Sequence, residues 1–453
     1  MTSSTPAVSD SPAHESEHGL EPASRPLDPS NTEAAPGAAS ERSIRWRVMQ
    51  RVDAPDPALA AQQAAEDLQN GANGLSFVFA GAPNAFGFGL PSDIEGLRAA
   101  LKDVPLQGVH LRVDVHPQSR ASIDWLAQIF QERQVNPTGV HLSFGVDPAS
   151  LFVGTGQLRM SLEALEASLP QSLGGFFALS LPGVLLEADG RVYHNAGASE
   201  TQELGIMLAS AASYLKMFED ARQPPVYAMP HLGFATSMDQ DLLTSTAKLR
   251  ALRLLWSRML KDFGIEPTPV PIHAETSFRM LSARDVETNI VRTTMATFAA
   301  AVGGADSISV LPHTIAVGLP DADARRVALN TSLVQGFETS AQELISAQSD
   351  FVDSLVGRFC DEGWDEYKRI EADGGVLRSI AAGTLQARIA EERKEQLRRY
   401  GTLVGSTIYP KSAAEPLVLP EILQQIFTDA AITCEPLLPQ RFEALAGRDQ
   451  AEA

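Results

Sequence analysis

The sequence predicts an α/β fold, a TIM (β/α)8 barrel followed by a C-terminal helical region. Three observations carry that expectation. Between Trp46 and Leu311, short apolar runs alternate eight times with segments of helical period, the signature of a parallel sheet with helical crossovers. Eight such units in about 270 residues match the usual size of a barrel of this kind. Polar residues gather where the runs end, and that end is where barrel enzymes keep their chemistry. An open doubly wound sheet is the structural alternative.

The elements follow in order. Residues 46–52 alternate as a strand, and Asp53-Ala-Pro-Asp-Pro57 opens a helix over 57–70 that Gly71 closes. Residues 74–80 form a continuous apolar run, which reads as a buried strand. After a glycine-rich loop over 81–90, the cycle repeats: helix 93–102, strand 109–115, helix 122–134, strand 140–144, helix 161–173 and strand 176–181. A polar excursion over 187–197 interrupts it. Helix 200–218, strand 226–234 and helix 239–263 come next, the last with Leu249, Leu252, Leu255, Trp256 and Met259 on one face. Strand 270–274, a helix from Asp285 that Gly303-Gly304 stops, and strand 307–311 complete the set. Beyond Asp323 the chain reads as helices over 324–342, 347–374 and 377–400, then a short strand and turn over 403–410.

This gives an N-terminal tail over 1–43, a barrel over 44–322, a helical region over 323–410 packed on it, and a Pro-rich extension over 411–453. The tail is rich in Ser, Pro, Ala and Glu and poor in large apolar residues, so it reads as disordered. The 453 residues carry a net charge of −20. That balance argues against a nucleic-acid binder, which needs a basic face. Two distant cysteines, Cys360 and Cys434, offer neither a disulfide framework nor metal spacing. No apolar run is long enough for a membrane helix, and no basic-then-apolar leader opens the chain. A reducing cytoplasm is the expected setting.

Gly-x-Gly-x-x-Gly, Walker-type and His-Glu-x-x-His motifs are all absent from the sequence. Gly87-Phe-Gly-Leu90 reads as a flexible loop. The histidines are the informative polar residues: His116, His194, His231, His273 and His313 are all expected at or just after the C-terminal end of a strand. Five at one rim favour a shared pocket. An imidazole there would donate a hydrogen bond or work as acid or base, with Glu275 tuning His273. A rim salt bridge is the structural reading of that pair.

The stretch from Pro271 to Pro320 also carries a resemblance. His273-Ala-Glu-Thr-Ser277, Asn289-Ile-Val-Arg-Thr-Thr294, Gly303-Gly304, Gly318-Leu-Pro320 and Asn330-Thr331 resemble the substrate-binding barrel of methylmalonyl-CoA mutases. The match is most similar to the small, non-catalytic subunit of the heterodimeric bacterial enzymes. It extends over about Trp46 to Pro439 and implies an adenosylcobalamin-dependent isomerase that rearranges an acyl-CoA skeleton, as in propionate metabolism.

Residue by residue, the resemblance departs where chemistry would sit. The first strand of active barrels is of the type Trp-Thr-Ile-Arg-Gln-Tyr-Ala; here it is Trp46-Arg-Val-Met-Gln-Arg-Val52. Met49 replaces a substrate-contacting Arg, and Arg51 replaces the Tyr that wedges against the substrate radical. Tyr193-His194 keeps a Tyr-His pair, with a shorter spacing to Ala196-Gly-Ala198. Arg-Leu-Ser-Phe-Phe becomes His231-Leu-Gly-Phe-Ala235, and His-x-Gln-Thr-Ser-Gly becomes His273-Ala-Glu275-Thr-Ser-Phe278. The framework segments 248–256 and 289–294 match closely. The cobalt-ligating Asp-x-His-x-x-Gly motif does not occur.

The resemblance therefore implies no cobalamin-binding domain, no metal site and no catalytic residue on this chain. Arg51, Tyr193, His194, His231, His273 and Glu275 are the candidates for a degenerate site. Adenosylcobalamin would be bound by a large catalytic partner in a heterodimer, and acyl-CoA would meet the chain through that complex. Two alternatives stand beside this. One is an active barrel working with a separate cobalamin-binding subunit, which Arg51 counts against; the other is an acyl-CoA-binding or mutase-associated scaffold.

Overall fold

The computed structural model describes residues 43–178, 181–411 and 428–446. Eight parallel strands close into a barrel: β1 (Arg47–Val52), β2 (Gly74–Phe77), β3 (His110–Val113), β4 (His141–Val146), β5 (Val184–Asp189), β6 (Leu232–Met238), β7 (Ile272–Thr276) and β8 (Ser307–Ser309). β8 pairs back onto β1, with Arg47 opposite Ser307 and Met49 opposite Ser309, so the sheet has no free edge. The doubly wound alternative is thereby excluded.

The connecting helices are α1 (Pro57–Gln69), α2 (Ile94–Ala100), α3 (Ser119–Glu132), α4 (Pro148–Thr155), α5 (Leu162–Ala178), α6 (Arg191–Asn195), α7 (Glu200–Asp220), α8 (Leu242–Asp262), α9 (Thr288–Gly303) and α10 (Ala322–Phe337). Aspartates start many of them. Asp56, Asp93, Asp147, Asp241 and Asp321 each accept a hydrogen bond from an N–H of the following first turn. Proline sits in the first turn of α1 and α4, where a missing N–H costs nothing.

Period-two alternation decides what fills the barrel. Val48, Val52, Leu75, Phe77, Leu111, Val113, Leu142 and Phe144 face the helices and join them in one apolar core. The alternate positions face inward, and many of them are polar. Arg51, Ser76 and Arg112 stand in one layer, paired in register across β1, β2 and β3. Barrel interiors are ordinarily filled by branched apolar side chains; this one holds charges.

Several expected boundaries move. The apolar run expected as a strand over 176–181 belongs to α5 through Ala178, and the fifth strand is β5, whose last three residues overlap the expected polar excursion. Its charges, Glu187 and Asp189, face the barrel and break the apolar run that would have marked it. β6 begins at Leu232, after two 3-10 turns at Pro225–Tyr227 and Met229–His231. Pro224, Pro225 and Pro230 lack the N–H that a strand ladder needs. The segment over 403–410 makes one isolated bridge, Val404 with Ile408.

Past the barrel come α11 (Asp350–Ala372), α12 (Val376–Ala381) and α13 (Thr384–Tyr400), the last two separated at Gly383, whose φ is 75°. α11 packs on α7 and α8. The described end of the chain returns to the barrel. Ile432–Thr433 pairs antiparallel with Gln157–Leu158, and Glu443 accepts from the Ser282 hydroxyl and the Ala283 N–H at 2.7 Å each. The expected tail and much of the Pro-rich extension, 1–42, 412–427 and 447–453, lie outside the described residues. Among the described residues, no helix is long and apolar enough to cross a membrane.

Candidate functional site

The upper half of the barrel is occupied by a lattice of ion pairs. Arg51 on β1 donates to Asp53 and Glu275 at 3.1 Å each and to the Asn84 carbonyl at 2.9 Å. Phe86 lies against its guanidinium, 5.3 Å from carbon to ring centre, and stacks in turn on Phe278 at 4.2 Å. Arg191, just past β5, donates to Asp189 at 2.7 Å, to Glu275 at 3.3 Å and to Asp114. Arg112 on β3 reaches Glu187, Asp114 at 3.4 Å and the Ser76 hydroxyl at 3.2 Å. Arg325 from α10 lies 3.8 Å from Asp53 and donates to Asp67.

None of these groups meets solvent: Arg51 is 2% exposed, Arg112 1%, Arg191 0%, Glu187 3% and Glu275 1%. Charges buried this deeply persist only when paired. Burial alone would raise the Asp114 carboxyl, but Arg191 and Arg112 outweigh it and hold it well below the usual carboxylate range. At Glu187 burial wins over Arg112, and its carboxyl is raised. Each guanidinium is committed to carboxylates of the same chain.

A second cluster lies beside it, under the loops that follow β5, β6 and β7. His194 on α6 meets Glu203 through Nδ1 at 2.9 Å and the Ser277 hydroxyl through Nε2 at 3.1 Å. Lys248 and the Thr236 hydroxyl both donate to Glu203, each at 2.6 Å. Burial would raise Glu203, yet Lys248 and His194 bring it down to about 2. Arg279 donates to Asp239 at 2.8 Å, to Glu200 at 3.1 Å and to the His194 carbonyl at 3.0 Å. Asp239, which burial would raise, is held low by Arg279 and His194. His194, Glu200 and Asp239 present ligand atoms within 4.8 Å of one another. The Arg279 guanidinium already sits on both carboxylates, supplying the positive charge a cation would bring.

The six sequence candidates do not share one pocket. Arg51 and Glu275 meet directly. His194 stands in the second cluster, and Tyr193 is buried beside it in the core, 1% exposed. His231 and His273 are at the other end of the barrel. His231 precedes β6 and meets the Gly183 carbonyl through Nδ1 at 2.7 Å; His273 is the second residue of β7 and meets the Ser307 hydroxyl at 2.8 Å. The single-rim expectation for the histidines fails for these two, because both strands begin later than their apolar runs suggest. His116 and His313 do follow strands at the upper end. Arg112, Asp114, Glu187, Asp189, Arg191, Glu203, Lys248 and Arg279 were not singled out from sequence. The signal for part of the barrel-facing set is present as charges two residues apart, Arg112 and Asp114 at the end of β3 and Glu187 and Asp189 at the end of β5.

A family model described as methylmalonyl-CoA mutase matches residues 35–430. The chain belongs to the methylmalonyl-CoA mutase family. Among curated relatives, it is 33% identical over 380 residues to the methylmalonyl-CoA mutase small subunit of Streptomyces virginiae, covering 82% of this chain and 60% of that one. Against the small subunit of Propionibacterium freudenreichii subsp. shermanii it is 28% identical over 336 residues, 71% of this chain and 51% of the relative. Against that of Porphyromonas gingivalis the identity is 27% over 354 residues, 75% and 54% of the two chains. The chain thus spans between half and three-fifths of these relatives' length.

For the adenosylcobalamin that the mutase family implies, the buried upper-rim histidines do not fit as cobalt ligands. His116 is buried against the rings of Phe79 and Trp125, and both ring nitrogens of His194 are engaged.

Proposed function

We propose that this chain is the non-catalytic small subunit of a heterodimeric methylmalonyl-CoA mutase, a cytoplasmic isomerase that interconverts (R)-methylmalonyl-CoA and succinyl-CoA. Adenosylcobalamin and the radical chemistry belong to the large partner. This chain supports the partner's fold. Residues 44–322 make the mutase-type barrel, and 323–410 make a helical region laid on it.

One observation carries the reading. Arg51 occupies the first-strand position where active family members place the tyrosine that shields the radical, and it is locked to Asp53, Glu275 and the Asn84 carbonyl. Glu275, its partner, stands where those members have glutamine. The two replacements compensate each other inside this chain, and a lattice of buried ion pairs fills the space in which an acyl group would react. His194, of the Tyr-His pair that the resemblance retains, here has its ring between Glu203 and Ser277.

The experiment is co-expression with a large mutase subunit, followed by size-exclusion chromatography and a mutase assay. A one-to-one complex should form, and its turnover should survive Arg51→Lys and His194→Gln in this chain. The isolated chain with added adenosylcobalamin should be inactive. Turnover by the isolated chain, or loss of turnover in an intact complex carrying either substitution, sinks the reading.

A further inference from the structure

The outward face of a barrel helix meets water and is ordinarily polar. α3 follows that rule, with Arg120, Asp124, Gln128 and Gln131 exposed along it. α9 does not. Val291 is 64% exposed and Met295 38%, one turn apart, and Phe298 and Val302 continue the same line half-buried. α10 packs beside α9 and adds the exposed Val334 and Phe337. Val291 to Val302 covers about 17 Å of helix, and packed helix axes lie about 8–10 Å apart. The two helices thus share an apolar face of roughly 300 Å2, the range in which a monomer's largest patch is often functional.

The segment over 403–410 borders the upper end of this face. Arg292 of α9 donates to the Val404 carbonyl at 2.8 Å, and Lys411 pairs with Glu287 at 2.8 Å. Tyr409 stands out of that segment, 83% exposed, with a φ of 48° that strains any residue but glycine. The lower end is acidic. Glu338 follows Phe337 at the end of α10, and Glu343 precedes the 3-10 turn Leu344–Ser346, which packs on α9. Both acids are exposed, and among the described residues neither has an ion-pair partner. The chain's own N-terminal residues are unsuited to covering the face. The described chain begins beside it, with the Arg45 N–H on Gln342 at 3.0 Å and Ile44 against Gly336. Residues 1–42, however, contain no Ile, no aromatic residue and two Leu, at 20 and 27.

On the heterodimer reading, on which this inference rests, we propose that the large mutase subunit docks on the α9–α10 face. It sets an apolar strip against Val291 and Met295 and basic side chains opposite Glu338 and Glu343. Tyr409 is the aromatic anchor at the upper edge, the residue type that carries a large share of interface energy. A stable complex hides about 800 Å2 on each partner, so the contact runs past the helices onto the 403–410 segment and the turn at 344–346. A second copy of this chain is the poorer occupant, because it brings another net charge of −20 to the same contact.

The full chain, co-expressed with a tagged large mutase subunit, is followed by affinity capture and size-exclusion chromatography. Wild type should be captured one to one. Val291→Arg combined with Met295→Arg should abolish capture, and Tyr409→Ala should raise the dissociation constant by about tenfold or more. Glu338→Lys combined with Glu343→Lys should slow association and flatten its salt dependence. Asp124→Arg, on the outer face of α3, should be captured like wild type. The thermal midpoint of the free chain should stay within about 2 °C in the Val291 and Met295 double variant, since both side chains meet water. No capture of wild type overturns the heterodimer reading and this inference with it. Capture of the double variant at wild-type strength overturns the docking face alone. A lowered midpoint assigns the face a cover within the chain, and a free wild-type chain that sediments as a homodimer broken by the same double variant assigns it to a second copy; either result also overturns the proposal.

Discussion

Replacing Arg191 with methionine tests the ion-pair lattice most directly. Arg191 is 0% exposed and donates to Asp114, Asp189 and Glu275, so the change leaves three buried carboxylates short of a cation. Removing one partner of a buried pair costs about 3–5 kcal/mol, because the other charge stays uncompensated. Some compensation survives: Glu275 keeps Arg51 at 3.1 Å, Asp114 keeps Arg112 at 3.4 Å, and Asp189 keeps the Asn84 side-chain amide at 3.1 Å. A loss of about 4 kcal/mol is therefore expected, a large share of the 5–15 kcal/mol that holds a typical domain. The assay is urea unfolding of the full chain followed by tryptophan fluorescence at several pH values. The sign follows from Asp114. Its folded pKa lies below the ordinary 3.8, so its stabilising contribution is complete above that value and fades as the pH falls through the folded pKa. Wild type and variant should differ most at neutral pH and converge below pH 3.8. A difference under about 1 kcal/mol at pH 7 would refute the claim that the lattice is paired and buried.

Lys248→Met should act on the second cluster in the same sense. Glu203, depressed to about 2 from an ordinary 4.5, contributes stability that is lost on acidification below 4.5, and the variant should lack that acid-sensitive part in chemical unfolding measured across pH 5 to 2. Asp147→Ala removes the cap of α4 together with the acceptor for the Tyr214 hydroxyl at 2.6 Å and the Asp189 N–H at 2.8 Å. It should cost about 3 kcal/mol, and thermal unfolding would show it; Asp147→Asn should recover part of the loss. At Gly183, φ is 105° and an added Cβ would fall on the Leu142 carbonyl oxygen, so Gly183→Ala should destabilise by at least about 2 kcal/mol or fail to yield folded protein. A Gly183→Ala protein that melts like wild type would contradict the backbone geometry that leads into β5.

The alternation that made the barrel legible also carried its interior, and the two were not equally easy to read. Outward residues such as Leu75, Leu111 and Phe144 make apolar runs, and apolar runs are what mark a strand in a sequence. Inward residues such as Arg112, Asp114, Glu187 and Asp189 interrupt the same runs, so the end of β5 reads as a polar excursion, while the apolar run before it belongs through Ala178 to α5. Which cation meets which acid depends on closure of the barrel. Arg51 and Glu275 are 224 residues apart and touch because β7, β8 and β1 are consecutive around the ring. The histidines fail for a narrower reason. A strand that starts two residues later turns His273 from a strand-end residue into its second position, at the opposite mouth from the presumed chemistry. With the later start of β6, that displacement removes two histidines from the upper rim and places His273 at the lower mouth of the barrel. Sequence position alone assigns a barrel residue to a strand, but only the strand's first residue decides which mouth it serves.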